Sequence, residues 1–414
     1  MKFKNFNLSN KINLALEKNN FIDATPVQQK VIPLVLDGKD LMVKAQTGSG
    51  KSASFVLPIL ENLSLNPKEG KAKPRVLVLT PTRELTIQVA QTFSTFSSFL
   101  DKKLKVVSVI GGTKIGDQML AIQKGCDIIV ATSGRLLEIL KKQQLNLSKI
   151  EYFVLDEADK MLNLDFAKEL DEVLKELPKK RQNLMFSATY PQKVLDICTR
   201  VTQEAIEVSL NYKEETVETI TQRVIEVNKE NRGPLLRHLL EKNDWQSVLV
   251  FMSSKRAVDN IAAKFRKYDI KADSFHGDLE QEEREYTLNA YKDKKFRILF
   301  TTDIFSRGLD IDDISCVINF DLPRSPADYI HRIGRTARAG KSGLAISFID
   351  HDDVEHFKLI EKRSKIKLQR EQIEGFELTG TRIQKVKGPA PVKGKGKSKK
   401  DKLREKALKD SKKD

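Results

Sequence analysis

The chain has 414 residues, of which 40% are hydrophobic and 31% are charged, so it is long enough for about two or three domains and too apolar to be disordered throughout. Its 73 basic and 57 acidic side chains give a formal net charge of +16, which indicates either a polyanionic partner or a surface charged for solubility. Three widely spaced cysteines and the lack of an apolar run of about eighteen residues exclude a disulfide framework and a membrane-spanning protein, so we expect a cytoplasmic protein.

Short apolar strands alternate with longer amphipathic stretches from Asp40 onward, in two successive series. Such alternation predicts an α/β fold in which helices cover a mostly parallel sheet, and two series predict two tandem domains. The predicted strands are 41–43, 76–79, 106–110, 128–130 and 152–155 in the first series, and 221–227, 248–251, 298–301, 317–319 and 345–349 in the second. The predicted boundaries are 1–208 for the first domain, 209–218 for a linker, 219–366 for the second domain and 367–414 for a basic tail.

The first strand runs into a loop that contains glycine and then into a helical stretch. The loop consists of Ala45, Gln46, Thr47, Gly48, Ser49, Gly50, Lys51 and Ser52. Strand, loop and helix in this order are the context of a P-loop, in which backbone N–H groups and the helix N-terminus bind phosphates. We expect Lys51 to contact the outer phosphates and Ser52 to bind Mg²⁺. A simple turn would explain the glycines but not the Lys-Ser pair after them.

Two acids, Asp156 and Glu157, stand where the fifth strand should end. At the carboxyl edge of a parallel sheet, Asp156 can hold Mg²⁺ while Glu157 polarises an attacking water. The alternative is an acidic helix start, because a first turn favours Asp and Glu through the helix dipole. The P-loop supplies a phosphate site nearby and favours the metal interpretation.

The second series of strands offers no equivalent loop, because the strand 248–251 is followed by no glycine. We therefore expect a single nucleotide site. The second domain instead carries an arginine-rich stretch, 331–338, at the start of a predicted helix. On that helix Arg332, Arg335 and Arg338 would share one face, and planar guanidiniums suit phosphate oxygens. The alternative is a solvated basic helix face.

The C-terminal segment concentrates positive charge. Residues 385–414 contain thirteen Lys or Arg and four Asp or Glu, so they hold nine of the sixteen excess positive charges. This composition predicts a disordered tail that binds a polyanion without reading sequence.

In order and spacing, these motifs resemble those of the DEAD-box RNA helicases, and the resemblance covers nearly all of residues 3–350. It implies two RecA-like domains with ATP and Mg²⁺ in the cleft between them, and RNA bound across both domains through its backbone. From the residues alone, Gln28 is an ordinary surface residue; the resemblance assigns it to adenine recognition.

The resemblance also assigns the other site residues. Adenine and ribose would be bound by Phe3, Phe21, Gln28, Gly308 and Asp310, and catalysis would use Lys51, Asp156, Glu157, His331, Arg335 and Arg338. Coupling of ATP hydrolysis to RNA would use Asp159, Ser187 and Thr189. RNA would be bound by Thr82, Arg83, Gly111, Gly112, Thr132, Gly134, Arg135, Ser253, Gln281, Arg284 and Thr302. The chain departs from the family pattern at Asn20, Ala24, Ser133, Phe305, Ser306 and Ala337.

The expected function is that of an ATP-dependent RNA helicase, which unwinds short duplexes or remodels RNA–protein complexes by closing two domains on RNA. The alternatives are a DNA translocase, an ATP-gated RNA clamp with slow hydrolysis, and a small-molecule kinase, which would leave the second domain unexplained. The short basic tail resembles that of bacterial RhlE-type members, which implies partners in ribosome assembly or RNA decay. We expect a monomer.

Overall fold

In this computed structural model, the described residues are 1–45, 48–162, 167–210, 220–303, 311, 314–337 and 342–381. Met1–Leu378 form one compact unit, and of a second unit, Thr379–Asp414, only the first three residues are described. Five predicted site residues lie outside the described residues, namely Gln46, Thr47, Gly308, Asp310 and Arg338. No helix within the described ranges is long and apolar enough to cross a membrane.

The first domain is built on a parallel seven-stranded sheet with the order β3-β4-β2-β5-β6-β1-β7. Central strands such as Val76–Leu79 and Ile128–Ala131 are buried on both faces, which explains their continuous apolar sequences. The strands are β1 Leu41–Lys44, β2 Val76–Leu79, β3 Val106–Val109, β4 Ile128–Ala131, β5 Tyr152–Leu155, β6 Gln182–Ser187 and β7 Ile206–Ser209. The helices are α1 Asn10–Lys18, α2 Pro26–Leu36, α3 Lys51–Leu65, α4 Arg83–Ser97, α5 Ile115–Gln123, α6 Ser133–Lys141, α7 Ala158–Leu162, α8 Ala167–Lys175 and α9 Gln192–Val201.

The second domain repeats this topology strand for strand. Its parallel sheet has the order β10-β11-β9-β12-β13-β8-β14, which becomes the order of the first sheet when seven is subtracted from each number. The strands are β8 Ile220–Glu226, β9 Val248–Phe251, β10 Ala272–Phe275, β11 Ile298–Thr301, β12 Cys316–Asn319, β13 Gly343–Ile349 and β14 Arg370–Glu371. The helices are α10 Arg232–Lys242, α11 Lys255–Arg266, α12 Gln281–Lys292, α13 Pro326–Ile333 and α14 Val354–Ser364.

The second domain extends past the boundary that we predicted at residue 366. Strand β14 pairs with β8, as β7 pairs with β1, and the pairing is reinforced by a bidentate contact of Arg223 with Glu371. Ile373 and Phe376 pack against the core of the domain. The segment after residue 366 therefore contains the last strand of the domain. Its charged sequence gave no indication that Ile373 and Phe376 pack against the core.

The parallel strands bring successive loops to one edge of each sheet. Because every strand pair described is parallel, the loops after β1 to β5 leave from the same edge, and so do those after β8 to β12. Ligands of open α/β sheets bind at the carboxyl edge of the strands. The P-loop follows β1, the acids Asp156 and Glu157 follow β5, and the predicted RNA residues follow β2, β3, β4, β9, β10 and β11, so the fold gathers these motifs at the carboxyl edges.

Candidate functional site

The loop after β1 forms a cradle closed by Lys51. Gly48 and Gly50 have φ angles of +82° and +88°, in the left-handed region that glycine adopts without strain. Lys51 begins α3, is 6% exposed, and donates from Nζ to the carbonyl oxygen of Ala45 at 3.1 Å. A buried ammonium folded over glycine N–H groups at a helix start is a fitting site for phosphate oxygens.

Gln28 ties the predicted adenine segment to this loop. Its Oε1 accepts from the Thr25 N–H at 2.8 Å, and its Nε2 donates to the Gly50 carbonyl at 3.1 Å. It is 2% exposed, so the expectation from residues alone, an ordinary surface residue, was wrong. A Cβ atom on Gly50 would lie 2.6 Å from Gln28 Nε2, which explains why glycine stands at this contact.

The two aromatic residues assigned to the base lie in different environments. Phe3 is 3% exposed and packs beneath Phe21, with ring centroids 6.2 Å apart, whereas Phe21 is 36% exposed. Phe96 contacts Phe21 edge-on at 5.4 Å. Asn20 has a φ of +59° and thus adopts the conformation of the glycine usual at this position, which asparagine tolerates well. Phe21 is the ring that a base can reach, and Phe3 supports it.

Asp156 and Glu157 are buried directly after β5. Burial raises the pKa of both carboxyl groups, and Lys51 opposes the rise; Arg335 also lowers the pKa of Glu157. Glu157 has a φ of +53°, a strained conformation for a non-glycine residue, of the kind found at functional sites. Two buried carboxyl groups beside a phosphate cradle fit a bound cation, and oxygens of Asp156 and Ser52 are the hard ligands that Mg²⁺ prefers.

A third acid, Asp159, follows two residues after Glu157 and makes a different contact. Thr189 Oγ1 donates to Asp159 Oδ2 at 2.8 Å, and the Asp159 N–H donates to Ser187 Oγ at 3.2 Å. The three predicted coupling residues are thus joined in one network that connects the end of β5 with the end of β6.

The arginine motif does not have the predicted geometry. Residue 331 lies near the end of a helix, because α13 spans Pro326–Ile333 and Gly334 caps it. Arg332 is therefore separated from Arg335: it is buried, donates from Nε to Asp303 Oδ1 at 2.6 Å, and lies over the Phe251 ring at 4.9 Å. Arg335 lies after the helix and donates from Nε to the His331 carbonyl at 3.2 Å. Arg332 braces the second domain, while Arg335 faces Glu157 of the first.

Residues around His331 form a second contact between the domains, in addition to that of Arg335 with Glu157. Lys160 Nζ of the first domain contacts Asp328 Oδ1 of the second at 3.0 Å. Burial, together with the nearby charge of Lys160, lowers the pKa of His331 to about 3. His331 is therefore neutral at pH 7, so it can donate or accept one hydrogen bond but cannot act as a cationic acid.

A cavity of about 610 Å³ is lined by most of the predicted RNA residues of both domains, although Gly112 and Gln281 are not among its lining residues. It is lined by loops that follow equivalent strands: those after β2, β3 and β4 in the first domain and those after β9, β10 and β11 in the second. Ser253 after β9 thus corresponds to Thr82 after β2. Its lining includes Thr82, Arg83, Gly111, Thr132, Gly134, Arg135, Ser253, Gly277, Arg284 and Thr302.

Arginines are positioned in this cavity by glycine and by carbonyl groups. Gly112 has a φ of +77°, and a Cβ atom there would lie 2.1 Å from Arg83 Nη1. Arg135 donates from Nη1 to the Thr113 carbonyl at 3.0 Å. The Ser133 hydroxyl, where the family usually has proline, donates to Glu169 at 2.8 Å and so holds its turn by a hydrogen bond.

Arg284 and Glu84 meet across the domain boundary in this cavity. Arg284 Nη2 lies 2.5 Å from Glu84 Oε1, and both side chains are buried. Among the described residues, no hydrogen-bond partner is present for Nε of Arg284. Burial lowers the pKa of Arg284, and the adjacent Arg83 adds to this effect. A buried guanidinium N–H without an acceptor, next to a second arginine, fits a phosphate backbone.

We expect Arg284→Ala to weaken RNA binding about tenfold to a hundredfold in the presence of a non-hydrolysable ATP analogue, because the closed form would keep the Glu84 charge without its partner. Fluorescence anisotropy measures the effect, and Arg266→Ala, an exposed arginine of the same domain, serves as control. Combining Glu84→Arg with Arg284→Glu should restore part of the affinity. Wild-type affinity in Arg284→Ala would contradict this role.

In the described part of the second domain, the position equivalent to the P-loop lysine is occupied by an arginine that carboxylates neutralise. By topology, the counterpart of the P-loop follows β8, not β9 as the sequence suggested. There Arg232 begins α10 as Lys51 begins α3, but its guanidinium is held by three aspartates, with Nη1 3.0 Å from Asp321, and Nη2 3.3 Å from Asp350 and 2.5 Å from Asp353. These three carboxylates neutralise the guanidinium charge that a phosphate group would otherwise bind. The other oxygen of Asp321 accepts from Ser253 N and Oγ, which fixes a loop that lines the cavity.

The comparisons with known proteins agree with this geometry. Residues 25–197 match the DEAD/DEAH box helicase family, and residues 231–340 match the helicase conserved C-terminal domain. The chain is 38% identical over 368 residues to the ATP-dependent RNA helicase CshA of Listeria monocytogenes, covering 89% of this chain and 70% of that protein. The chain belongs to the DEAD-box RNA helicase family. A probable ATP-dependent RNA helicase of Methanocaldococcus jannaschii is 39% identical, with 89% of this chain and 98% of that protein covered.

Solved DEAD-box structures share the two-domain fold. Dbp5 of S. cerevisiae bound to RNA and ADP BeF3 has a TM-score of 0.81 at 28% identity, covering 90% of this chain and 95% of that chain. A DEAD box protein from Methanococcus jannaschii has a TM-score of only 0.52 at 39% identity, covering 90% and 99%. Both tandem RecA-like domains predicted from the sequence are confirmed. This DEAD-box helicase superposes better on Dbp5 than on the Methanococcus protein, although its sequence is less identical to that of Dbp5.

Proposed function

We propose that this helicase remodels RNA by closing its two domains around ATP on one side and RNA on the other. The observation that carries this proposal is that the same domain boundary brings Arg335 into the electrostatic environment of Glu157 and Arg284 into contact with Glu84. The Arg335–Glu157 pair belongs to the nucleotide site, and the Arg284–Glu84 pair belongs to the RNA cavity. The better superposition on a relative bound to RNA and nucleotide supports the interpretation that this arrangement is the closed one.

In the closed form, each residue of the nucleotide site has a distinct role. Gln28 and Phe21 orient the base, and Lys51 leaves the Ala45 carbonyl to neutralise phosphate charge. Mg²⁺, held by Ser52 and Asp156, would supply further stabilisation of that charge when bound. Glu157 accepts a hydrogen bond from the attacking water, and Arg335 neutralises charge that develops on the transferred group. Arg338 and Asp310 keep the roles proposed for them from the sequence.

On the RNA side, backbone contacts from both domains fix the path of one strand. Arginines, hydroxyls and glycine N–H groups recognise sugar and phosphate but not base identity. Closure aligns the two halves of the cavity, and we propose that a bent single strand fits it while a straight duplex does not. Bending one strand of a short duplex locally then breaks a few of its base pairs. Hydrolysis reopens the cleft and releases the strand.

We further propose a cytoplasmic monomer that acts in ribosome assembly or RNA decay, as the resemblance to RhlE-type members implies. ATP turnover measured with single-stranded RNA and with DNA of the same sequence tests the RNA preference, with Lys51→Ala as the background. Stimulation by RNA and displacement of a short RNA strand are expected. Equal stimulation by DNA would indicate a translocase, and RNA retention without strand displacement would indicate a clamp.

Deleting residues 385–414 should weaken RNA binding by up to about tenfold at low salt and little at high salt, because the nine excess charges act through counterion release. The ATP turnover number at saturating RNA should not change. Titrations of a long RNA at several salt concentrations measure this. Equal affinities of the full-length and shortened proteins at every salt concentration would refute the tether.

A further inference from the structure

Seven exposed lysines lie at the amino ends of the strands of the first sheet, on the edge opposite to the nucleotide and RNA motifs. They come from the loops that precede β2, β3 and β4. We call them the lysine surface: Lys68, Lys71, Lys73, Lys102, Lys103, Lys105 and Lys124.

The three loops are joined to one another by direct contacts. Lys102 Nζ donates to the carbonyl of Lys68, and Lys105 Nζ donates to that of Lys124 at 3.4 Å. A Cβ atom on Gly125 would lie 3.0 Å from the Ala72 carbonyl oxygen, so these two loops touch. The seven ammonium groups therefore share one face and are not scattered over the domain.

The carboxylates in these loops, Glu69, Asp101 and Asp127, are fewer than the seven lysines and leave a net positive charge. Within the described ranges, none of the seven lysines forms an ion pair with a carboxylate, whereas exposed lysines such as Lys175, Lys255 and Lys358 do. Asp101 is paired with Lys11, and Asp127 Oδ2 accepts from the Lys105 N–H at 2.8 Å. Like charges held together without partners lower the stability of the folded state. A surface of this kind gains free energy when a polyanion covers it.

We propose that the lysine surface binds the phosphate backbone of RNA that continues beyond the cleft, an inference that rests on the proposed function. Four-residue strands separate the two edges of the sheet by about 13 Å plus the loops. This exceeds the Debye length of about 8–10 Å, so the surface acts on a separate segment of the strand. Lysine is a flexible point charge, which suits a backbone whose sequence is not read. A neighbouring cavity of about 400 Å³ is lined in part by Lys68, Lys102 and Asp101.

The test compares two variants of the full chain that lose the same charge. The first replaces six members of the lysine surface: Lys68→Gln, Lys71→Gln, Lys73→Gln, Lys102→Gln, Lys103→Gln and Lys105→Gln. The control replaces six exposed lysines of the second domain: Lys242→Gln, Lys264→Gln, Lys267→Gln, Lys271→Gln, Lys292→Gln and Lys294→Gln. Both are titrated with RNA of about 10 nucleotides, which occupies only the cleft, and of about 40 nucleotides, over a range of salt concentrations.

For the long RNA, the first variant should reduce the slope of log affinity against log salt by about 2 to 4, since each lost phosphate contact removes roughly 0.7. Its binding of the short RNA, its RNA-stimulated turnover and its thermal unfolding midpoint should not fall. An unchanged slope, or an equal change in the control, would overturn the proposal. Selective loss of binding to phosphatidylserine vesicles with an unchanged RNA slope would also overturn it. If the wild type shows no turnover with the short RNA, the proposed function fails instead.

Discussion

Replacing Glu157 with glutamine is expected to reduce RNA-stimulated ATP turnover by about a hundred- to ten-thousandfold while ATP and RNA binding persist. Glutamine has nearly the same shape but cannot accept a proton from the attacking water. Burial raises the pKa of Glu157, so activity in the wild type should rise with pH along an acidic limb centred above the ordinary value of 4.5. Steady-state turnover and RNA retention after addition of ATP measure both parts.

The same substitution should lower ATP turnover but raise the stability of the folded protein. A carboxyl group whose pKa is raised by burial favours its protonated form, so ionisation of Glu157 destabilises the ligand-free protein. Glutamine removes that charge, and the midpoint of thermal unfolding should rise without ligand. Glu172→Gln, at an exposed position, is the matched control. A variant that hydrolyses ATP at the wild-type rate would remove Glu157 from the chemistry.

Replacing Arg335 with alanine is expected to lower the ATP turnover number by about a thousand- to a hundred-thousandfold. Arg335 comes from the second domain, so its loss should leave ATP binding to the Lys51 loop of the first domain nearly unchanged. The effect should therefore appear in the turnover number and not in the nucleotide dissociation constant. Single-turnover hydrolysis and equilibrium binding of a fluorescent ATP analogue separate the two quantities.

Two further variants establish that the guanidinium itself is required. Arg335→Lys keeps the charge but loses the planar fork, so it should recover little activity. Arg363→Ala removes an exposed arginine of the same domain and should behave as the wild type. Equal weakening of ATP binding and turnover in Arg335→Ala would show that this residue holds the ground state and not the developing charge.

The sequence predicted the two α/β domains and the motif strands because each has a strong local pattern. Continuous apolar runs identify strands buried on both faces, and the glycine-lysine loop is recognisable without tertiary information. The short edge strand Arg370–Glu371 is charged and has no such pattern, so its pairing with β8 was not predicted. Its position follows only from the repeat of the first sheet in the second.

The errors at the site arose where a side chain's role depends on distant partners. The sequence around Gln28 gives no indication that its side chain is buried. The side chain is buried because it donates to the Gly50 carbonyl, 22 residues away. The spacing of Arg332 and Arg335 suggested one helix face, but Gly334 ends the helix between them. Comparing loops by topology, and not by appearance, would have matched Arg232 with Lys51 and Ser253 with Thr82. In the second domain, Asp321 thus pairs with Arg232, the counterpart of Lys51, and also holds the loop of Ser253 that lines the cavity.

The distance between the two domains, measured by energy transfer between dyes, tests most directly the claim that closure assembles both sites. Exposed Ser148→Cys and Asn260→Cys carry the dyes, and the natural cysteines react slowly because burial raises the pKa of their thiols. We predict a short distance only when RNA and a non-hydrolysable ATP analogue are present together, and its loss in Arg284→Ala. A distance that is the same with both ligands as with neither would contradict the account.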